Sequence, residues 1–149
     1  MNLDNSKKDL HSRRDFVRNS TLLAGGLLAA PMLSKANFFS GADDVIKIAL
    51  IGCGGRGTGA TVQALSTKQN VQLIAMADAF RDRLDNSLKN IMEEMAETKS
   101  RVNVKGENKF IGFEAYKRAI ALADVVILAT PPGFRPIHFE EAVKQGKQI

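Results

Sequence analysis

A single cysteine, no tryptophan, one tyrosine and only two histidines limit what this chain of 149 residues can do chemically. With Cys53 alone, an intrachain disulfide and a zinc cluster built from thiolates are both excluded. His11 and His138 share no metal-ligand spacing with acids, so no metal site is predicted. Long apolar runs are also missing. The most extended stretch, 21–33, has thirteen residues, three of them Gly or Pro, short of the roughly 20 needed to span a bilayer, and no permanent membrane anchor is predicted. Charge of one sign is scarce once the chain is divided. Residues 1–36 hold six of the 21 Lys/Arg and three of the 16 Asp/Glu, so the remainder carries 15 basic and 13 acidic residues, a net of +2. That balance lacks the basic footprint of a nucleic-acid binder. Repeats, low-complexity tracts and charge blocks are absent too.

What is present begins with an address. A basic start, the apolar stretch, and the small residues Ser34 and Ala36 at the third-last and last positions of a cleavage site make 1–36 a signal peptide cut after Ala36. Residues 37–44 then read as a linker. Ser12-Arg13-Arg14-Asp15-Phe16-Val17-Arg18 resembles the twin-arginine signal. That resemblance implies the twin-arginine export machinery as a partner and a periplasmic or otherwise exported location for a protein that folds and takes up its cofactor first. A general secretory signal that happens to hold two arginines is the alternative, and it leads to the same side of the membrane.

From residue 45 the pattern alternates between strands and helices. The aliphatic run 45–51 predicts a strand covered on both faces, and 58–67 a helix. The run 71–77, ending at Asp78, predicts a second strand. Leu84, Leu88, Ile91, Met92 and Met95 recur at helical spacing and predict a helix from Arg81 to about Glu97. Residues 99–109 read as a loop, 110–113 as a short strand, 114–122 as a helix and 124–129 as a fourth strand. A helix from Pro136 through Gln145 follows, stopped by Gly146, and 147–149 begins a fifth strand. The fold class is therefore α/β, a Rossmann-type doubly wound parallel sheet truncated at the start of its fifth strand. It has room for one domain, over 45–149.

Gly52-Cys53-Gly54-Gly55-Arg56-Gly57 lies between the first strand and the first helix, with the spacing G-x-G-x-x-G. Gly52 allows the tight turn, Gly54 lets a pyrophosphate approach the backbone, and Gly57 lets helix and strand pack closely. The phosphates would meet free N–H groups at the helix start. Asp78, 21 residues past Gly57, would accept hydrogen bonds from ribose hydroxyls and repel a 2′-phosphate, which favours NAD over NADP. Arg56 either touches the pyrophosphate or faces solvent; Arg81 and Arg83 either reach a phosphate or are solvated. Cys53 points into packing, since a buried thiol with no basic partner is inert. His138 is either a packing residue at a helix start or a cofactor-side contact.

Residues 51–59, 77–84 and Ala129-Thr130-Pro131-Pro132-Gly133-Phe134-Arg135-Pro136-Ile137-His138 together resemble the glucose-fructose oxidoreductase, inositol 2-dehydrogenase and MocA-like family. The resemblance implies that Gly52, Gly54 and Gly57 hold the pyrophosphate of a tightly bound NAD, and Gly55 and Arg56 in the same turn are counted with them as cofactor-binding. It implies that Thr130 and Pro131 border the nicotinamide side, and Pro132 and His138 are expected beside them as cofactor-binding residues. Pro132 stands where the family's short form has Asn, and His138 lies eight residues beyond Thr130. Family members add a second domain that binds a sugar or polyol, form homo-oligomers, and carry a catalytic lysine in a Glu-Lys-Pro segment. Here that lysine would lie beyond Ile149, so no catalytic residue is assigned within this chain. The implied activity is an exported NAD-dependent oxidoreductase acting on a sugar, sugar derivative or polyol. Two alternatives stand beside it: a glycosidase that uses bound NAD for transient oxidation, elimination and hydrolysis, and a non-catalytic nucleotide-binding scaffold.

Overall fold

Residues 44–149 are described by a computed structural model of the chain. The twin-arginine motif, the apolar stretch, the cleavage position and all of the linker before Asp44 lie outside them. Four strands, Ile46–Ile51 (β1), Val71–Asp78 (β2), Lys109–Ile111 (β3) and Val125–Leu128 (β4), form one all-parallel sheet in the order β3-β2-β1-β4. Between them run the helices Gly55–Leu65 (α1), Arg81–Glu94 (α2) and Ala115–Leu122 (α3), and Arg135–Lys144 (α4) follows β4.

The strands read as apolar runs because both faces of the sheet are covered. On one face Leu65 of α1 and Leu84, Leu88 and Ile91 of α2 pack with Ile48, Leu50, Leu73 and Met76. On the other, Tyr116, Ala119 and Ile120 of α3 and Ala142 of α4 pack with Ala49, Ile51, Ala75, Ala77 and Val126. Leu50, Leu65, Leu73, Leu84 and Ile91 are fully enclosed, and burying each such side chain contributes about 1.5–3 kcal/mol. The second face is built largely from alanines, so its helices come close to the sheet.

β1 and β2 change register once. Ile48 pairs with Leu73 but Ala49 pairs with Ala75, which leaves Ile74 as an extra residue in β2. Val71 and Leu73 face the α1/α2 side; past the bulge Ala75 and Ala77 face the α3/α4 side and Met76 the α1/α2 side. The freed carbonyl of Ile74 accepts a hydrogen bond from Asn108 Nδ2 at 3.0 Å.

Several boundaries differ from expectation. α1 starts at Gly55, three residues early, because the glycine turn already supplies its first turn. α2 ends at Glu94, and Met92, one position past Ile91 on the helix, faces solvent while Met95 is buried. The segment 99–109 is not a plain loop. It contains 3-10 turns over Ala96–Arg101 and Gly106–Asn108, with Val102 bridged to Leu73 between them. It is tied to its neighbours by polar side chains: Gln72 Nε2 of β2 donates to Ser100 O, and Arg101 Nη1 donates to Leu65 O and Thr67 O, at 2.6 and 2.7 Å, closing the end of α1. Of the expected fifth strand, Gln148 forms a single parallel bridge on Val125.

Candidate functional site

The order β3-β2-β1-β4 places two crossovers on opposite sides of β1, one leading to β2 and the other to β4. At such a switch point the loops leaving the carboxyl ends diverge and open a crevice. A cleft of about 540 Å³ lies there, walled by the ends of β1, β2 and β4, with Gly52, Gly54, Asp78, Phe80, Thr130 and His138 among its lining. Its size falls within the roughly 300–1,000 Å³ of small-molecule sites.

The glycine turn is shaped by two close approaches. Gly52 has φ +93°, and a Cβ there would lie 2.8 Å from the main chain of Ala129 and Thr130. A Cβ on Gly57 would lie 2.1 Å from the carbonyl oxygen of Gly52, so only glycine lets α1 seat on the end of β1. Gly54 differs: nothing stands within 4 Å of its Cβ position, and it opens onto the cleft. It precedes α1, whose start has no side-chain cap and no acid in the first turn. The first N–H groups of such a helix have no partner within it and, with the helix dipole, favour an anion.

Asp78 ends β2 and faces this turn. Its Oδ2 accepts from Cys53 N at 2.7 Å and its Oδ1 from Phe80 N at 2.9 Å. An ionised carboxylate has about four acceptor positions, so two main-chain bonds orient it and leave capacity for a ligand's hydroxyls. Cys53 is buried and donates to Ala77 O. Burial first, then the neighbouring Asp78 charge, pushes its thiol up to about 12, which leaves it protonated and inert at neutral pH.

Beyond β4, Arg135 Nη2 donates to Thr130 O at 3.0 Å and Phe134 N to Pro131 O, closing the turn that leads into α4. Thr130 Oγ1 lies 3.0 Å from His138 Nδ1. His138 is only 5 % exposed, and burial lowers its pKa from the ordinary 6.5.

Of the residues singled out in the sequence, Gly52, Gly54, Arg56, Asp78, Thr130, Pro131 and His138 line the cleft. Gly57 lies beneath it in helix packing, Gly55 lines a groove between α1 and α2, and Pro132 is exposed outside the cleft wall. Arg83 reaches the cleft, whereas Arg81 does not. Sequence reasoning missed the aromatic part of the wall: Phe80, Phe113, Tyr116 and Phe134. The Tyr116 ring lies tilted by 40° against the His138 ring with centroids 4.3 Å apart, and Phe134 stacks on it at 6.4 Å. Tyr116 comes from the start of α3, a placement that topology supplies, whereas Phe134 lies four residues before His138 at the start of α4, a helical spacing that was there to be read.

Among the described residues, no group of three or more His, Cys, Asp and Glu is placed to hold a metal ion, and no helix is long and apolar enough to cross a membrane. Comparison with protein-family models gives no match, and comparison with the curated proteins gives none.

Proposed function

We propose that this chain is the nucleotide-binding part of an exported NAD-dependent oxidoreductase acting on a sugar, sugar derivative or polyol. The observation that carries the reading is the arrangement at the switch point: an uncapped helix start under an open Gly54, and beside it an Asp78 carboxylate oriented by two main-chain N–H groups. These groups fit a dinucleotide. The turn 52–57 and the start of α1 would hold the pyrophosphate, with Arg56 and Arg83 adding positive charge at the rim. Asp78 would accept the hydroxyls of the adenosine ribose, and its charge disfavours a 2′-phosphate. Thr130 and Pro131, on the other side of β1, would border the nicotinamide. When bound, the cofactor supplies a carbon that takes or gives hydride; this chain's share is to bind, orient and shield it. The leader read from residues 1–36 would carry the protein out of the cytoplasm, where a tightly held nucleotide would avoid dependence on a soluble pool.

The test is to purify the intact protein, denature it and identify any released nucleotide by mass spectrometry, then titrate nucleotide-free protein with NAD and NADP. The reading expects NAD in the supernatant and tighter binding of NAD than of NADP. Absence of both from the purified protein, with no binding of either on titration, overturns it.

A further inference from the structure

Two hydroxyl groups behind the glycine turn take no part in lining the cleft. Thr58 of α1 and Ser87 of α2 border the groove between those helices instead, and their oxygens lie 2.7 Å apart. Thr58 Oγ1 also donates to Gly54 O at 3.0 Å, and Thr58 N donates to the same oxygen at 2.9 Å. A carbonyl oxygen carries no proton and a threonine hydroxyl carries one. The Thr58 proton therefore lies toward Gly54 O, and the proton between the two hydroxyls comes from Ser87. Ser87 is only 2 % exposed, so water does not compete for its hydroxyl. The result is a directed chain from α2 to the turn: Ser87 O–H to Thr58 Oγ1, and Thr58 O–H to Gly54 O.

This chain ends on a single peptide unit, since Gly54 O and Gly55 N–H belong to the same amide. Glycine stands on both sides of it, with nothing within 4 Å of either Cβ position, so side-chain packing does not restrain its plane. Gly55 is the first residue of α1, and its N–H is among those that have no partner within the helix. Donation to the carbonyl oxygen draws electron density toward it and leaves the N–H of the same amide a stronger donor, because linked hydrogen bonds polarise one another. On the other side of Gly54, the Cys53 N–H is held by Asp78 at the end of β2. The turn is thus gripped at two points by consecutive elements, β2 and α2. The peptide after Gly54 cannot rotate its oxygen toward the cleft without losing both bonds from Thr58.

We propose that Ser87 and Thr58 are positioning residues for diphosphate binding: their hydroxyl chain keeps the Gly54 carbonyl turned into α1 and strengthens the Gly55 N–H that meets the anion. Neither side chain touches the ligand. The inference rests on the nucleotide reading above and deepens it, because it makes the grip on the phosphates depend on a residue of α2, outside the glycine turn.

The test uses the intact protein carrying isotope-labelled glycine, with the Gly55 amide resonance identified by its disappearance in Gly55→Ala, and titrations with NAD and with adenosine, which lacks the diphosphate. In the ligand-free protein Ser87→Ala should move the Gly55 amide proton upfield. The same variant should bind NAD about threefold more weakly, the scale of losing one link from a polarised chain, with adenosine affinity unchanged. Thr58→Val keeps the side-chain shape and removes both links; it should move the resonance further and weaken NAD about tenfold. Thr58→Ser keeps the hydroxyl and should restore both readouts. A Gly55 resonance that stays in place in Ser87→Ala overturns the inference, and so does an NAD affinity unchanged in that variant. Equal losses of NAD and adenosine binding also overturn it, because the pair would then serve only the docking of α2 on α1. Failure of the unaltered protein to bind either ligand overturns the nucleotide reading, and this inference with it; normal NAD binding by both the unaltered protein and Ser87→Ala overturns this inference alone.

Discussion

At the end of β2, Asp78 is held by two main-chain N–H groups, those of Cys53 and Phe80, whereas past β4 Thr130 bonds to a side chain eight residues further along, on α4. The first arrangement follows from local backbone geometry: a glycine turn whose N–H groups point at the adjacent strand end. The second depends on tertiary packing, because Tyr116 reaches His138 from the start of α3, while Phe134 is its neighbour four residues back at the start of α4. The β2 end of the cleft is therefore fixed as soon as β1 and β2 pair, while the β4 end is fixed only when α3 and α4 have docked.

The sharpest way to break this contrast is at the turn. Gly57→Ala places a methyl group against the Gly52 carbonyl and should destabilise the fold by about 3 kcal/mol, read as a lower urea midpoint. Gly54→Ala, with open space at its Cβ, should leave the midpoint nearly unchanged and instead weaken nucleotide binding. Equal midpoints for the two variants would contradict the close approach at Gly57. Next in size, Asp78→Ala removes the acceptor from two backbone donors and should cost about 2 kcal/mol. Asp78→Asn keeps one carbonyl acceptor and should cost less. If both variants denature together with the unaltered protein, the carboxylate does not anchor the turn.

A smaller, pH-dependent effect is expected at the β4 end. The folded-state pKa of His138 lies below the ordinary 6.5 because of burial, so the unfolded chain takes up this proton more readily. Stability from this residue is complete above pH 6.5 and falls as the pH drops from there toward the depressed folded value. His138→Phe should flatten that part of a stability-against-pH curve, and an unaltered slope would mean that His138 is not buried neutral. The weakest response belongs to Cys53. With its thiol at about 12, a thiol reagent should leave the native protein unlabelled at neutral pH and react once urea unfolds it; rapid native labelling would show that the turn opens.

The same contrast explains what was legible in the sequence. β1, β2, β4 and the glycine turn were readable because each is a local pattern: an aliphatic run, a fixed spacing, an acid at a strand end. The roles of Gly52 and Gly57 followed from the same pattern, and the contacts their missing Cβ atoms would make bear that out. Residues 99–109 were misread as a loop because what orders them is Arg101 and Asn108 bonding to the backbone of α1 and β2, an interaction without periodicity. Met92 was counted with the buried stripe of α2 because a hydrophobic count does not resolve adjacent positions on a helix. Pro132 was counted as cofactor-binding with Thr130 and Pro131 as part of the stretch that carries the family resemblance, yet the turn that leads to α4 carries it out of the cleft wall. The contact of Tyr116 with His138 had no signal along the chain, since the two are brought together only by the docking of α3 and α4.

The extra residue in β2 has a consequence for how this chain tolerates change in length. Because Ile74 is the one position at which β2 advances without β1, the strand carries a spare link. Removing it would restore plain alternation with Ala75, Met76, Ala77 and Asp78 each keeping its present side of the sheet. β1 has no such slack: losing one residue between Ile48 and Ile51 would turn over either the residues before the gap or the glycine turn after it.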